Sequence, residues 1–219
     1  MSGSFSAWKE GALQYVPTLL AALVFAFIVT RGYRMAWAGV ILFGLYTLFA
    51  LFFFRDPARA IPGADSDVVS PADGKVVAVE DLESTPHYDG PCRRISIFMS
   101  PFNVHVNRAP VQGIVSKIIY QPGGYINAMK PEASERNESN AVWMRTPYGP
   151  LTVRQISGAI ARRIVCRTGI GQTLERGQKF GMIRLGSRTE LYLPTGTEVC
   201  VKINDKVRAG SSIVARFSK

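Results

Sequence analysis

The chain has 219 residues, with 26 Lys+Arg against 16 Asp+Glu and a formal net charge of +10. Its longest apolar stretches are two uncharged runs, residues 11–30 and 35–54, each 20 residues long. A helix of that length rises about 30 Å, the thickness of a bilayer's hydrocarbon core, which argues against an ordinary soluble protein. The remainder, rich in Val, Ile and aromatics, argues against disorder.

The first run is too long for a signal peptide and has no small-residue cleavage site. Arg31-Gly32-Tyr33-Arg34 then leads directly into the second run. The prediction is a two-helix transmembrane hairpin, with helices over 11–30 and 35–54, that returns the chain to its starting side. Pro17 is expected in the first turns of helix 1, where its missing N–H costs little. Two Arg in the turn oppose Lys9, Arg55 and Arg59 on the other side, so the charge rule for orientation says little. Cys92, Cys166 and Cys200 form an odd set without a CxxC, which favours a reducing compartment and small buried roles. The downstream domain is therefore expected at the cell membrane on its cytoplasmic side. An interfacial hairpin that never crosses is the alternative.

Residues 55–219 suit one domain. They keep 23 basic and 15 acidic residues, a net +8. With no arginine-rich cluster and no nucleic-acid motif, that charge points to an anionic membrane surface, not to nucleic acid. Twelve Pro and fifteen Gly break this part into short stretches. Strands are predicted at 75–79, 94–99, 113–120, 141–145, 151–156, 164–166, 190–193 and 198–203; RISIFM and TELYL alternate clearly. Residues 131–140 (PEASERNESN) are polar and read as a loop. The expectation is a mainly β sandwich or barrel with a few helical turns. Segments 175–183 and 207–214 echo each other, with a basic residue, a Gly and an apolar return. This is similar to a lipoyl- or biotinyl-like barrel-sandwich domain.

Three segments could carry chemistry. Gly186-Ser187 lies between two strand-like stretches. It reads as a turn, but a Ser hydroxyl can attack the carbonyl of its own preceding residue, and Gly resists the needed distortion least. His105, in SPFNVHVNR (100–108), follows a strand among polar and basic neighbours and is suited to proton transfer near neutral pH, or is a hydrogen-bonded structural His. Asp73, in SPADGKV (70–76), reads as a turn residue before a strand, or as a carboxylate orienting His105. Together they make a nucleophile, base and orienter. Only two His are present, so a multi-histidine metal site is not expected and none is assigned.

SPADGKV (70–76), FMSPFNVHVNRAPVQG (98–113), PGGYINA (122–128), NESNAV (137–142) and FGMIRLGSRTELYLP (180–194) resemble, in order, the phosphatidylserine decarboxylase proenzyme family, in its short bacterial and archaeal form. The resemblance implies a proenzyme cut between Gly186 and Ser187 into a β chain (1–186) and an α chain (187–219) that stay together as a heterodimer, with higher oligomers open. It implies Ser187 as the nucleophile that becomes a covalent pyruvoyl cofactor, His105 as general base and later acid, and Asp73 orienting His105. The implied reaction converts phosphatidylserine in the membrane to phosphatidylethanolamine and CO2, a step of phospholipid biosynthesis. Arg188 and Phe102 depart from the long-form pattern. Arg108, Asn107 and Lys130 are candidate head-group contacts.

Three other classes fit the residues less well. Ala128-Met129-Lys130 echoes a biotin-attachment tripeptide, but Pro131 and a polar run follow. A membrane-anchored zinc peptidase needs about three protein ligands, and only His105 sits in a promising motif. The intact Asp73, His105 and Ser187 argue against a degenerate, non-processing scaffold.

Overall fold

The computed structural model describes residues 5–159, 163–184 and 186–217. Leu185 and the last two residues of the expected α chain lie outside these. The chain divides into two compact units, one spanning Ser6–Pro57 and the other taking in the chain from Ala58 onward.

The first unit is a helical hairpin of α1 (Ala7–Thr30) and α2 (Trp37–Phe53), joined through a 3-10 turn at Arg34–Ala36. α1, and α2 together with the 3-10 turn before it (Arg34–Phe53), are long and apolar enough to cross a membrane. α1 starts earlier than expected, because Lys9 and Glu10 sit in its first turns, where charge is tolerated. Pro17 consequently falls in the helix interior, not in its first turns. There it removes one backbone bond, and the next hydroxyl, Thr18 Oγ1, donates to the Gln14 carbonyl at 2.9 Å. Thr47 donates to Thr18 across the hairpin at 2.9 Å, and Phe25 stacks on Phe43. Small and hydroxyl residues at such a contact let apolar helices approach closely. Gly39, which meets the Phe25 ring, acts the same way.

The second unit is mainly β. Its strands are β1 (Asp67–Val69), β2 (Gly74–Leu82), β3 (Cys92–Met99), β4 (Val106–Arg108), β5 (Gly113–Gln121), β6 (Ser139–Thr146), β7 (Gly149–Ile156), β8 (Ile164–Cys166), β9 (Thr173–Leu174), β10 (Lys179–Ile183), β11 (Ser187–Pro194), β12 (Glu198–Val199), β13 (Lys206–Val207) and β14 (Ile213–Arg216). Eight form one curled half-barrel, in the order β13-β2-β3-β11-β7-β6-β5-β9. Two three-stranded sheets, β4-β10-β8 and β1-β14-β12, complete the unit. All the strand pairs among the described residues are antiparallel. The mainly β domain behind an apolar hairpin is as expected. The echoed turns correspond too: Gly177 and Gly210 both take φ above +70° and donate N–H to the carbonyls of Ala109 and Ser70.

The core lies on one face of the large sheet, with Ile95, Ile97, Val153, Leu191 and Leu193 fully buried or nearly so. Alternation sends Arg94, Arg154, Glu190 and Tyr192 to the other face. That face is covered by the segment expected to be a solvated loop. Residues 131–140 instead contain a short helix, α3 (Ala133–Arg136), and the start of β6, and Ser134, Asn137 and Glu138 are buried. Polarity misleads here, because the segment packs on polar side chains. Asn137 stands in for backbone pairing, accepting from Ile126 N–H and donating to the carbonyls of Ile126 and Ser157, all at 2.8 Å. The stretch expected as a strand over 198–203 pairs only at Glu198–Val199 before turning. Of the cysteines, Cys92 is buried but Cys200 is exposed.

Candidate active site

Two ladders meet at the Gly186–Ser187 turn. β3 ends at Met99, and residues 100–105 lead into β4 at Val106. β10 ends at Ile183, and a short turn leads into β11 at Ser187. Ser187 pairs with Met99 in one ladder, and Met182 pairs with Val106 in the other. The Ile183 N–H also donates to the His105 carbonyl at 3.3 Å. The loop that carries His105 and the turn that carries Gly186-Ser187 are thus bracketed by the same two ladders.

Ser187 is fully buried, and its hydroxyl donates to the Met99 thioether at 3.4 Å. Thioether sulfur is a weak acceptor, so the hydroxyl is held without being strongly committed. Gly186 takes φ +67°, a conformation that L side chains rarely adopt. Its carbonyl lies against Gly158, leaving no room for a Cβ there.

His105 is completely buried, and its Nδ1 lies 2.9 Å from the Asn103 carbonyl. A carbonyl can only accept, so Nδ1 carries the proton, and in a neutral ring the basic nitrogen is then Nε2. Asn103 is itself pinned: its side-chain oxygen accepts from the Ser100 N–H and hydroxyl.

Asp73 is also buried, but it is bonded elsewhere. Its carboxylate accepts from Arg59 at 2.8 Å and from the Ala209 N–H at 2.7 Å. Asp73 does share a cavity of about 620 Å3 with Ser100 and Asn103, the residues that shape the His105 loop. Its corner is tied to that loop as well, since the Pro71 carbonyl accepts from the Arg108 N–H and from Asn107 Nδ2.

The head-group candidates divide. Asn107 is fully buried in a polar chain, donating to Thr189 at 3.1 Å and accepting from Gln155 at 2.9 Å, with Asn140 donating to Gln155 in turn. Arg108 is buried and donates to the Gly177 carbonyl. Both serve the framework. Lys130 is exposed. Its tripeptide sits in a turn before α3, not at the tip of a β-hairpin, which leaves the carrier-domain reading without support.

A family model described as phosphatidylserine decarboxylase matches residues 46–215. The chain belongs to the phosphatidylserine decarboxylase family. It is 45% identical over 202 residues to a phosphatidylserine decarboxylase proenzyme of Nitrosomonas europaea, covering 92% of each chain. It is 45% identical over 218 residues to one of Nitrosomonas eutropha, covering 99% of this chain and 100% of the other. A proenzyme of Magnetococcus marinus is 42% identical over 197 residues, 89% of this chain and 90% of the relative.

In this chain of the decarboxylase family the residue after Ser187 has a defined job. Arg188 donates to Ser134 Oγ at 2.9 Å and to the carbonyls of Met129 and Lys130 at 3.1 and 3.2 Å. It clamps the covering segment to β11. Beside it, Glu190 is fully buried against Arg154 at 3.4 Å, Arg188 at 3.8 Å and Arg94 at 3.9 Å. Ser134 and Tyr192 hydroxyls donate to it at 2.6 Å. Burial works to raise the Glu190 carboxyl, but Arg154, the two hydroxyls and Arg94 outweigh it and hold it low.

Arg59, Asn103 and Gly158 escape a reading of the sequence alone. Arg59 reads as one more basic residue flanking the hairpin, Asn103 acts through its backbone carbonyl, and Gly158 acts only through being small.

Proposed function

We propose that the chain is a self-cleaving proenzyme whose mature form decarboxylates phosphatidylserine to phosphatidylethanolamine at the membrane. The observation that supports this reading is that the His105 loop and the Gly186-Ser187 turn both connect the same two ladders.

Maturation begins when Ser187 Oγ attacks the Gly186 carbonyl carbon and its proton passes to His105 Nε2. The Gly186–Ser187 C–N bond breaks, the proton goes to the departing nitrogen, and an ester replaces the amide. Loss of the Ser187 Cα proton then expels the Gly186 carboxylate. The dehydroalanine left behind hydrolyses, releasing ammonia and leaving a pyruvoyl group at position 187. Asp73 supports the imidazolium by its charge from the cavity wall, while Asn103 fixes which nitrogen is basic.

The residues present fit such a group: the position is fully buried, starts a strand and follows a glycine. When formed, the group supplies a ketone for the substrate amine and an adjacent amide carbonyl that accepts electrons as CO2 leaves. His105 is assigned the proton returned to the substrate carbon. The buried setting excludes water that would compete. The β chain (1–186) and α chain (187–219) stay together because β11 keeps its ladders to β3 and β7. The hairpin holds the domain beside a substrate confined to the bilayer, on the cytoplasmic side.

Ser187→Ala tests the reading. A single uncleaved chain that releases no CO2 from carboxyl-labelled phosphatidylserine is expected, against two chains and CO2 release from the parent. Cleavage in the variant would overturn it.

A further inference from the structure

The cavity beside the His105 loop has an uneven distribution of charge. Asp73 lies in its wall, and Lys75, Lys206 and Arg208 stand around it, all three exposed. Lys75 and Lys206 are direct cross-strand partners in the β2/β13 ladder. Like charges placed opposite each other in an antiparallel pair repel. Neither lysine nor Arg208 is ion-paired within the described residues. The one carboxylate in the wall is already committed to Arg59 and the Ala209 N–H. Three cations without a counter-charge at one concave site make a positive field suited to an anion from outside the chain.

We propose that Lys75, Lys206 and Arg208 bind the phosphodiester of the substrate's own head group. This rests on the decarboxylase reading and names the residues that anchor its substrate. The head group of phosphatidylserine carries two anions, and their fates differ. The carboxylate leaves as CO2, so a fixed cation beside it would stabilise the ground state more than the transition state and slow the step. The phosphodiester keeps its charge throughout, so cations there hold the substrate without opposing the chemistry. The cavity adjoins the His105 loop: Asn103, which lines it, accepts from His105 Nδ1 at its carbonyl, while Phe98 and Ser100, also in its wall, alternate to the other side of the sheet from Met99 and its partner Ser187. Arg108 and Asn107 are buried in the framework, which leaves this exposed trio as the cationic set at the cavity.

The test uses the full chain in detergent. Intact mass first establishes that Lys75→Gln, Arg208→Gln and the double variant Lys75→Gln/Lys206→Gln are cleaved like the parent. Decarboxylation is then followed on monomeric dihexanoyl-phosphatidylserine and on vesicles of long-chain phosphatidylserine in phosphatidylcholine. The double variant is expected to raise KM for the monomeric substrate about tenfold, the scale of losing charged hydrogen bonds, with kcat within about twofold. Its thermal midpoint is expected to rise, because the facing lysines no longer repel. Lys117→Gln, on β5, removes the same charge elsewhere and is expected to leave KM unchanged. An unchanged KM for the monomeric substrate overturns the proposal, and a rise confined to vesicles overturns it too, assigning the cations to neighbouring lipids. A parent enzyme that is cleaved but releases no CO2 from either substrate would instead overturn the decarboxylase reading, and this site with it.

Discussion

Gly158 lies directly against the carbonyl oxygen of Gly186, and a Cβ at 158 would overlap it. The β7/β11 register explains the contact. Arg188 pairs with Ile156, so two residues beyond the strand Gly158 comes opposite Gly186. Ser157 holds the approach, with both its N–H and its hydroxyl donating to the Glu138 carbonyl. Gly158→Ala must displace this carbonyl, the one that Ser187 attacks in the proposed mechanism. The expected result is at least a roughly tenfold slower cleavage, on the scale of an Å-level misplacement of reacting groups, read by following the two chains on a gel. Cleavage at the parent rate would show that the carbonyl has room to move.

His105 and Asp73 are tested by the same readout. His105→Ala is expected to abolish cleavage, because no other base faces the turn in the proposed mechanism. Asp73→Asn keeps the shape and removes the charge proposed to support the His105 imidazolium, and cleavage is expected to slow by about tenfold or more. Normal processing in both variants would refute the assignment.

Arg59 and Asp73 form a largely shielded ion pair, with side chains 12% and 10% exposed. Removing one partner from such a pair leaves a buried charge short of a donor. Arg59→Gln is expected to lower stability by about 1–3 kcal/mol, measured as a drop in thermal midpoint of the detergent-solubilised chain. A midpoint equal to the parent's would mean that the Ala209 N–H suffices for Asp73.

Stability is expected to fall in mild acid through His87. Burial, and next the Arg154 charge, push its pKa down to about 4 from 6.5. Between those values the unfolded chain binds the proton and the folded chain does not, so stability rises with pH across that window and is lost as pH falls. Glu190, held below its ordinary range, adds a further loss at lower pH as its carboxylate is protonated. His87→Gln is expected to flatten the dependence between about pH 4 and 6.5, and an unchanged melting profile would contradict this.

Much of this architecture can be read from the residues. β3 and β11 alternate visibly, because one face meets the core and the other a polar layer, and the hairpin is plain from its uncharged length. β4 and β10 carry the His105 side of the site and are harder to see: β4 is only three residues long and β10 is nearly all buried, so neither has a polar face to mark it. Residues 131–140 mislead for the opposite reason, being polar yet buried against Glu190 and its arginines. Ser187, His105 and Asp73 stand in recognisable motifs. The partners that position them do not, since Asn103 contributes a carbonyl, Gly158 an absent side chain, and Arg59 a contact across 14 residues of sequence.

Intact-mass spectrometry of the purified, detergent-solubilised protein tests the central claim most directly. The account predicts two species, residues 1–186 and a 33-residue piece from 187 to 219. The smaller piece is expected to be lighter by one ammonia than the same fragment with an N-terminal serine. A single full-length mass, or a smaller piece that retains an N-terminal serine, would contradict the pyruvoyl mechanism.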